Sequence, residues 1–434
     1  MTSTHEPAPE APEAPGAADA PEVAELPEVV EAPLLAAPRD GLPELVATPE
    51  ALARVAADLA AGSGAVAVDA ERASGYRYGQ DAYLVQLRRE GAGTVLVDPA
   101  ALPDLTVVAD ALGDAEWVLH AASQDLPCLA GVSLRPGGEL FDTELGARLA
   151  GFERVGLAAV VERLLGLRLA KEHSAVDWST RPLPEPWLVY AALDVEVLVD
   201  LRDALAAELD RQGKLEWARQ EFAAVRDAPP AAPRTDPWRR ISGLHALRGR
   251  RQLAAARELW LARDELARRR DTAPGRILPD RAVVAAAQAM PTTAAELATL
   301  PVFSGPANRR QADRWMSALD RARALPESAL PPHALRGDGP PPPRAWREKD
   351  PEAAERLTRA RAALTAIAEE HALPVENLVS PDAVRRLCWE PPAAAAGSAE
   401  AVSGALAAAG ARPWQRELVS GPLAAALVVQ VTQP

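Results

Sequence analysis

The sequence predicts a mixed-sheet α/β domain followed by two all-helical stretches. Three observations carry this reading. Strand-like runs at 65–71, 82–89, 93–98 and 116–120 crowd the first part of the chain, whereas from 143 onward apolar residues recur mostly at helical spacing. Two Pro-rich breaks, 228–237 and 326–343, interrupt the helical part, the second ending in four consecutive prolines, Pro340 to Pro343. Strands first, then alternation, then helices alone is the order expected of an α/β domain with helical additions.

Ordered structure is predicted to start at "TPEALARVAADLAAGSG", where Thr48 can cap, Pro49 suits the first helical turn, and Gly62 and Gly64 close the helix. The strands "AVAVDAE", "AYLVQLRR" and "GTVLVD" follow, the last two joined by the turn "EGAG" as a meander. A short helix, the strand "EWVLH" and a helix opening at "SQDLPCLAG" come next. Within 143–212 the clearest element is "PWLVYAALDVEVLVDLRDALAAELDRQG", predicted as one helix closed by Gly213. Residues 236–324 read as all helical. Beyond the second break, "DPEAAERLTRARAALTAIAEEHALPVENLVSPDAVRRLCWE" echoes "ARELWLARDELARRRDTAPGRILPDRAVVAAAQAM": each is a helix, a Pro-containing turn and a helix begun by Pro or Asp, a weak internal repeat. The final Ala/Gly-rich stretch carries little pattern.

The length of 434 residues suits two or three domains. Two distant cysteines, Cys128 and Cys388, exclude a disulfide framework and a zinc ligand set. No apolar run is long enough for a membrane span, and the opening "MTSTHEPAPE" lacks the regions of a signal peptide, so a cytoplasmic protein is expected. The net charge of −14 is unevenly placed, because residues 1–46 hold ten acids against one base, Arg39. Their Ala/Pro/Glu-rich composition predicts a disordered tail.

Three local features could carry chemistry. In a strand, Asp69 and Glu71 project to one side and Val68 and Ala70 to the other. Two such carboxylates repel unless a cation or proton lies between them, yet in isolation a solvated strand end is the reading that leads. Tyr190 and Asp194 stand four apart on a helix and share a face. Asp125 follows a predicted strand, where it could also serve the first turn of a helix.

Taken in order, Asp-x-Glu, a later Asp at a strand-to-helix junction and a Tyr-x-x-x-Asp helix resemble the motifs of the DEDDy 3′→5′ exonucleases. The stretch "DWSTRPLPEPWLVYAALD", with "YLVQL" and "FDTELGARLAG", is similar to the ribonuclease D family over residues 48–212. The chain departs from the common pattern at Ala70, where the family often has Thr, and at Ala121, where the wider superfamily often has Asn. The resemblance implies a ribonuclease H-like α/β exonuclease domain with Asp69, Glu71, Asp125, Tyr190 and Asp194 as catalytic residues. It implies two Mg²⁺ or Mn²⁺ ions held by the four acids and no zinc, as hard oxygen donors suggest. Asp69 would bridge both ions, Glu71 and Asp194 would hold the first, and Asp125 would support the second. Tyr190 would orient the attacking water. Arg72, Gln86, His120 and Arg181 are further candidates for binding substrate.

Residues 236–324 resemble an HRDC domain through their Asp-x-Trp opening, the "RELWLARDEL" helix and the "ILPD" turn. With 17 Arg against nine acids this segment suits a phosphate backbone, although a solvated Arg face is the alternative. Residues 344–434 resemble a degenerate HRDC-like domain. From Arg344 to Glu390 eight bases meet nine acids, which favours packing on the nuclease. The expected organisation is a tail at 1–46, an exonuclease domain at 47–227, a linker at 228–235, HRDC at 236–324, a Pro-rich linker at 325–343 and the last domain at 344–434. Single-stranded 3′ ends of RNA, tRNA precursors among them, are the partners implied, with no membrane. A 3′→5′ exonuclease acting on DNA and a binding adaptor with weak nuclease activity stay open. Deleting 236–434 is expected to weaken RNA capture more than chemistry.

Overall fold

The strand bearing the Asp-x-Glu pair lies inside a six-stranded sheet. The structure, a computed structural model, describes residues 32–170, 173, 175–333, 339–393 and 395–428. Its strands are β1 (Leu34–Leu35), β2 (Leu45–Val46), β3 (Ser63–Arg72), β4 (Ala82–Glu90), β5 (Gly93–Val97), β6 (Trp117–Leu119), β7 (Leu140–Asp142) and β8 (Arg168–Leu169). The sheet order is β2-β5-β4-β3-β6-β7. β3 and β4, and β4 and β5, pair antiparallel; β2 with β5, β3 with β6 and β6 with β7 pair parallel. The sheet is mixed, as the sequence predicts.

Alternation sorts the two faces. Val66, Val68, Ala70, Val85, Leu87 and Val97 enter the main core with Leu52 and Leu59 of α1 (Pro49–Ala61) and Val108 of α2 (Thr106–Leu112). Leu84 and Leu96 face the other way into a smaller core with Trp178, Leu183, Ala191 and Ala192. Next come α3 (Leu126–Gly131), α4 (Thr143–Leu149), α5 (Leu157–Leu165), α6 (Glu185–Glu196), α7 (Leu198–Arg211) and α8 (Leu215–Arg226).

Two expectations need correction. Of the tail expected at 1–46, residues 1–31 lie outside the described residues. Residues 33–46 are ordered by two short parallel pairings, β1 with β8 and β2 with β5. Leu34–Leu35 and Leu45–Val46 are apolar pairs that extend existing edges, and Thr48 then caps α1 by accepting from Ala51 N–H at 3.3 Å. The long helix predicted up to Gly213 is two helices, broken at Val197. α6 packs on β3, β4 and β5, whereas Leu198, Leu201, Leu205 and Leu209 of α7 enter the main core. α6 puts Ala191 and Ala192 into the smaller core and Val195 into the main one, and after the break α7 serves the main core alone.

The helical stretch after the first break holds α9 (Arg250–Arg270), α10 (Pro274–Ile277), α11 (Asp280–Ala289), α12 (Ala294–Ala298), α13 (Pro306–Arg309) and α14 (Ala312–Ala324). It has its own core, with Trp238, Leu259, Phe303 and Trp315 buried. The last stretch holds α15 (Trp346–Lys349), α16 (Pro351–Glu370), α17 (Val375–Leu378), α18 (Pro381–Trp389), α19 (Ala399–Ala408) and α20 (Pro413–Leu427). The repeat seen in the sequence reappears as a long, a one-turn and a medium helix, α9–α11 and again α16–α18.

The two copies bury their apolar faces differently. Trp346, Leu357, Leu364 and Leu423 belong to the same continuous core as Leu201, Leu205 and Phe222 of the sheet domain. Trp346 and Trp414 are buried anchors. Among the described residues no helix is long and apolar enough to cross a membrane.

Candidate active site

β3 presents Asp69 and Glu71 on the face covered by α6. One helical turn brings Tyr190 and Asp194 of α6 to the same place. Carboxylate oxygens of Asp69, Glu71 and Asp194 all lie within 4.8 Å of one another. Asp125 reaches the site from the other side, at the start of α3. It occupies the N-cap position of that helix, as the sequence suggests, and makes no side-chain capping bond there. Its Oδ1 lies 3.6 Å from an Arg72 guanidinium nitrogen. All four acids and Tyr190 line one cleft of about 550 Å³, together with Arg72, His120, Gln124 and an apolar wall that includes Leu157, Leu169 and Leu198.

The acids of this cleft cannot all ionise beside a single cation. Burial pushes Asp69 up to about 6 against the pull of the Ala70 N–H and Arg72. Burial, then the repulsion of Asp69, Asp194 and Asp125, raises Glu71 to about 10. Burial and Asp69 raise Asp125 to about 8, and the same two causes hold Asp194 well above the carboxylate range. Burial lowers His120 to about 4, which leaves Arg72 as the cation among the lining residues at neutral pH. Four acids around one guanidinium form a site that gains by taking up positive charge. An all-oxygen donor set at this spacing fits hard divalent cations. The Tyr190 phenol is raised by burial and then by Asp194 and Glu71, so it stays protonated at neutral pH.

Comparison with known proteins agrees with this geometry. A family model described as a 3′-5′ exonuclease matches residues 43–210, an HRDC domain model matches 252–319, and a model described as a 3′ to 5′ exonuclease C-terminal domain matches 339–427. The ribonuclease D of Gluconacetobacter diazotrophicus is 32% identical over 333 residues, covering 75% of this chain and 81% of that protein. The chain belongs to the ribonuclease D family. Among solved structures, a protein from Bifidobacterium adolescentis shares 40% identity at a TM-score of 0.83, covering 92% of this chain and all of that one. The Escherichia coli ribonuclease D structure shares 27% identity at a TM-score of 0.64, covering 88% of this chain and 98% of that one. Family membership makes the chain a 3′→5′ exoribonuclease that uses divalent metal ions.

Of the four further residues expected to bind substrate, this ribonuclease D fold brings two to the cleft. Arg72 and His120 line it, the latter with Nδ1 2.9 Å from the Thr143 hydroxyl. Gln86 and Arg181 do not line it. Gln86 is 0% exposed on β4, directly opposite Asp69 but walled in between the sheet and α6. Arg181 has every guanidinium N–H engaged. Its Nε and one terminal nitrogen donate to Asp98 at 2.8 and 2.6 Å, and the remaining donors reach the carbonyls of Tyr83, Trp178 and Thr180. It locks the "DWSTRPL" segment against β4 and the end of β5, which sets where α6 begins. Arg181→Lys keeps the charge and loses the fork, so it is expected to cost about 2–4 kcal/mol in urea unfolding. A midpoint equal to that of the wild type would remove this structural role.

Two features of the site escape a reading of the sequence. Gln124 lines the cleft just ahead of Asp125. The loop after Arg72, "ASGYRYGQD", seats the HRDC stretch beside the cleft. Arg77 and the Tyr78 N–H both reach Asp271, at 3.1 and 3.2 Å, and the Tyr78 hydroxyl donates to Asp264 at 3.0 Å. Arg276 donates to the Gly75 carbonyl at 2.6 Å and lies 4.0 Å over the Tyr76 ring. Two of the chain's four tyrosines in one loop was the available signal.

Proposed function

We propose that this chain removes nucleotides one at a time from single-stranded 3′ ends of structured RNA, tRNA precursors included, by two-metal-ion hydrolysis with Asp69, Glu71, Asp125 and Asp194 as ligands. The observation that carries the proposal is the convergence of three carboxylates within 4.8 Å beside a protonated tyrosine. Bound there, two Mg²⁺ or Mn²⁺ ions would activate water at neutral pH and offset charge on the leaving 3′ oxygen. Asp69, which has other acids on both sides, would serve both ions. Glu71 and Asp194 would hold one of them, and Asp125 would support the other from α3. Tyr190 holds the attacking water through its hydroxyl; a phenol is ordinarily protonated at neutral pH, and a metal-acidified water needs orientation more than a full base. Arg72 offers the scissile phosphate a guanidinium on the Asp125 side. The E. coli structure is described as an exoribonuclease involved in structured RNA processing, and that substrate class is carried over here.

The test incubates purified protein with 3′-labelled and 5′-labelled single-stranded RNA and DNA in Mn²⁺, Mg²⁺ or EDTA. Stepwise 3′ loss from RNA in metal and none in EDTA supports the reading. Preference for DNA moves the substrate class, and binding without cleavage in every metal rejects the activity.

HRDC holds exposed arginines such as Arg240, Arg270, Arg309 and Arg310 for the RNA backbone. Deleting 236–434 would not isolate their contribution, because that cut also removes residues 344–427, which complete the nuclease core. Changing these four to Gln is instead expected to weaken RNA binding and to flatten its salt dependence, by roughly 0.7 in log–log slope for each phosphate no longer neutralised. An unchanged slope in a salt titration by fluorescence anisotropy would clear HRDC of RNA capture.

A further inference from the structure

We infer that Asp142 is a positioning residue for the second metal position, acting through the turn that carries Asp125. This rests on the four-carboxylate reading above and extends it to a fifth acid that never meets the cleft. Asp142 ends β7, pairs with Leu119 of β6 and caps α4. It is 3% exposed, and its carboxylate accepts four backbone N–H groups. Oδ1 takes those of Glu144 and Leu145 at 3.0 and 3.1 Å, which is ordinary helix capping. The other two bonds are not capping. Oδ1 also accepts from Ala121 N–H at 3.0 Å, and Oδ2 accepts from Ala122 N–H at 2.9 Å.

These two bonds hold a turn that a non-glycine residue resists. Ala121 sits at φ 61°, in the left-handed region, where a Cβ is unfavourable. The turn leads straight to the metal ligand: Asp125 N–H donates to the Ala122 carbonyl at 3.1 Å, and Gln124 N–H to the Ala121 carbonyl at 2.9 Å. Thr143, next to Asp142, adds a bond from its hydroxyl to the Leu119 carbonyl at 3.2 Å. The backbone that aims Asp125 is therefore fixed from the β7–α4 junction.

The test uses full-length protein with Asp142→Ser and Asp142→Asn. Serine still caps α4 but is too short to reach Ala121 and Ala122 as well. Asparagine keeps the shape and turns an NH₂ against one of the N–H donors. Mn²⁺ binding by titration calorimetry is expected to show one of two ions bound about 10–100-fold more weakly in both variants, the range found for residues that orient metal ligands. Adding Ala121→Gly to Asp142→Ser should recover part of that loss, because glycine holds the turn unaided; a purely structural cap would show no such recovery. Thermal unfolding in EDTA reports stability separately, and if Asp142→Asn does not fold, Asp142→Ser decides. Unchanged Mn²⁺ affinity in Asp142→Ser, even with a lowered EDTA melting temperature, would overturn the inference and leave the metal site standing. A wild-type protein that binds no Mn²⁺ would overturn the functional reading and this inference together.

Discussion

Asp69→Asn is expected to abolish nuclease activity and yet to stabilise the metal-free protein at neutral pH. The activity loss should be on the order of 10³-fold or more, about 4 kcal/mol of transition-state stabilisation, because on the proposed reading Asp69 would serve both ions. The stability gain follows from the charges. Asp69 is raised from 3.8 to about 6, Asp125 from 3.8 to about 8 and Glu71 from 4.5 to about 10, with burial the largest cause each time. The repulsion of Asp69 contributes to the shifts of Glu71, Asp125 and Asp194. An acid whose folded pKa is raised stabilises fully below its unfolded value, and that stability is lost as pH rises through the folded value. In EDTA the wild type should therefore lose stability steadily from about pH 4 upward, through the titrations near 6, 8 and 10. Asn at 69 removes one charge and eases the other three acids, so its decline should be shallower and its melting temperature higher at about pH 8, with the difference closing near pH 4. Saturating Mn²⁺ should reverse the order, since binding to the folded state stabilises by mass action and the wild type binds better. Thermal unfolding from about pH 4 to 9, with EDTA and with Mn²⁺, reads all of this. A wild-type curve flat in EDTA, or an Asn variant less stable there at about pH 8, would mean that the acids do not repel one another as the geometry requires.

Local periodicity paired four of the five central residues, and the order of the motifs rather than the pairing marked them as one site. Strand alternation placed Asp69 and Glu71 on one side, and helical spacing placed Tyr190 with Asp194. Asp125 stands alone in its segment, and only its place in the order of motifs marked it. The errors have a common source in tertiary depth. Register puts Gln86 beside Asp69 on the same face, but nothing in "YLVQL" tells that α6 closes over it. Arg181 lies in a Pro-rich, polar segment that reads as surface; its partners at residues 83, 98 and 178 meet only in the folded chain. Apolar spacing runs unbroken through Val197, so periodicity could not detect that the helix stops there and a second one starts. Leu34–Leu35 and Leu45–Val46 are too short to show any period, and their order comes from strands that pair with them from far along the chain. Asp142 lies within the family-like stretch "FDTELGARLAG", but a cap at residue 142 and a turn at residue 121 are joined only by the β6–β7 pairing.

Trp414→Ala is expected to destabilise the nuclease and the last helical domain together, by about 3–5 kcal/mol, the range for emptying a buried Trp site. Trp414 is 2% exposed and lies near-parallel to Trp217 of α8, with ring centroids 5.0 Å apart and planes at 12°. Its Nε1–H donates to Glu221 at 3.0 Å, and Arg412 donates to the other oxygen of the same carboxylate at 2.7 Å. Burial raises Glu221, and these two partners are what lower it back. Alanine therefore removes stacked area and also strips a donor from a buried acid, a second cost on top of the cavity. Trp414→Phe keeps most of the apolar packing and loses only the donor, so it should cost less than half as much. Because residues 346–427 and α8 share one core while HRDC has its own, the loss should appear in a single transition that carries both the sheet domain and the last helices. Urea unfolding followed by hydrogen exchange in α4, α8 and α16 tests this. Protection lost in α16 alone, with α4 and α8 unchanged, would show that the C-terminal helices are an independent module and that the shared core does not couple them to the active site.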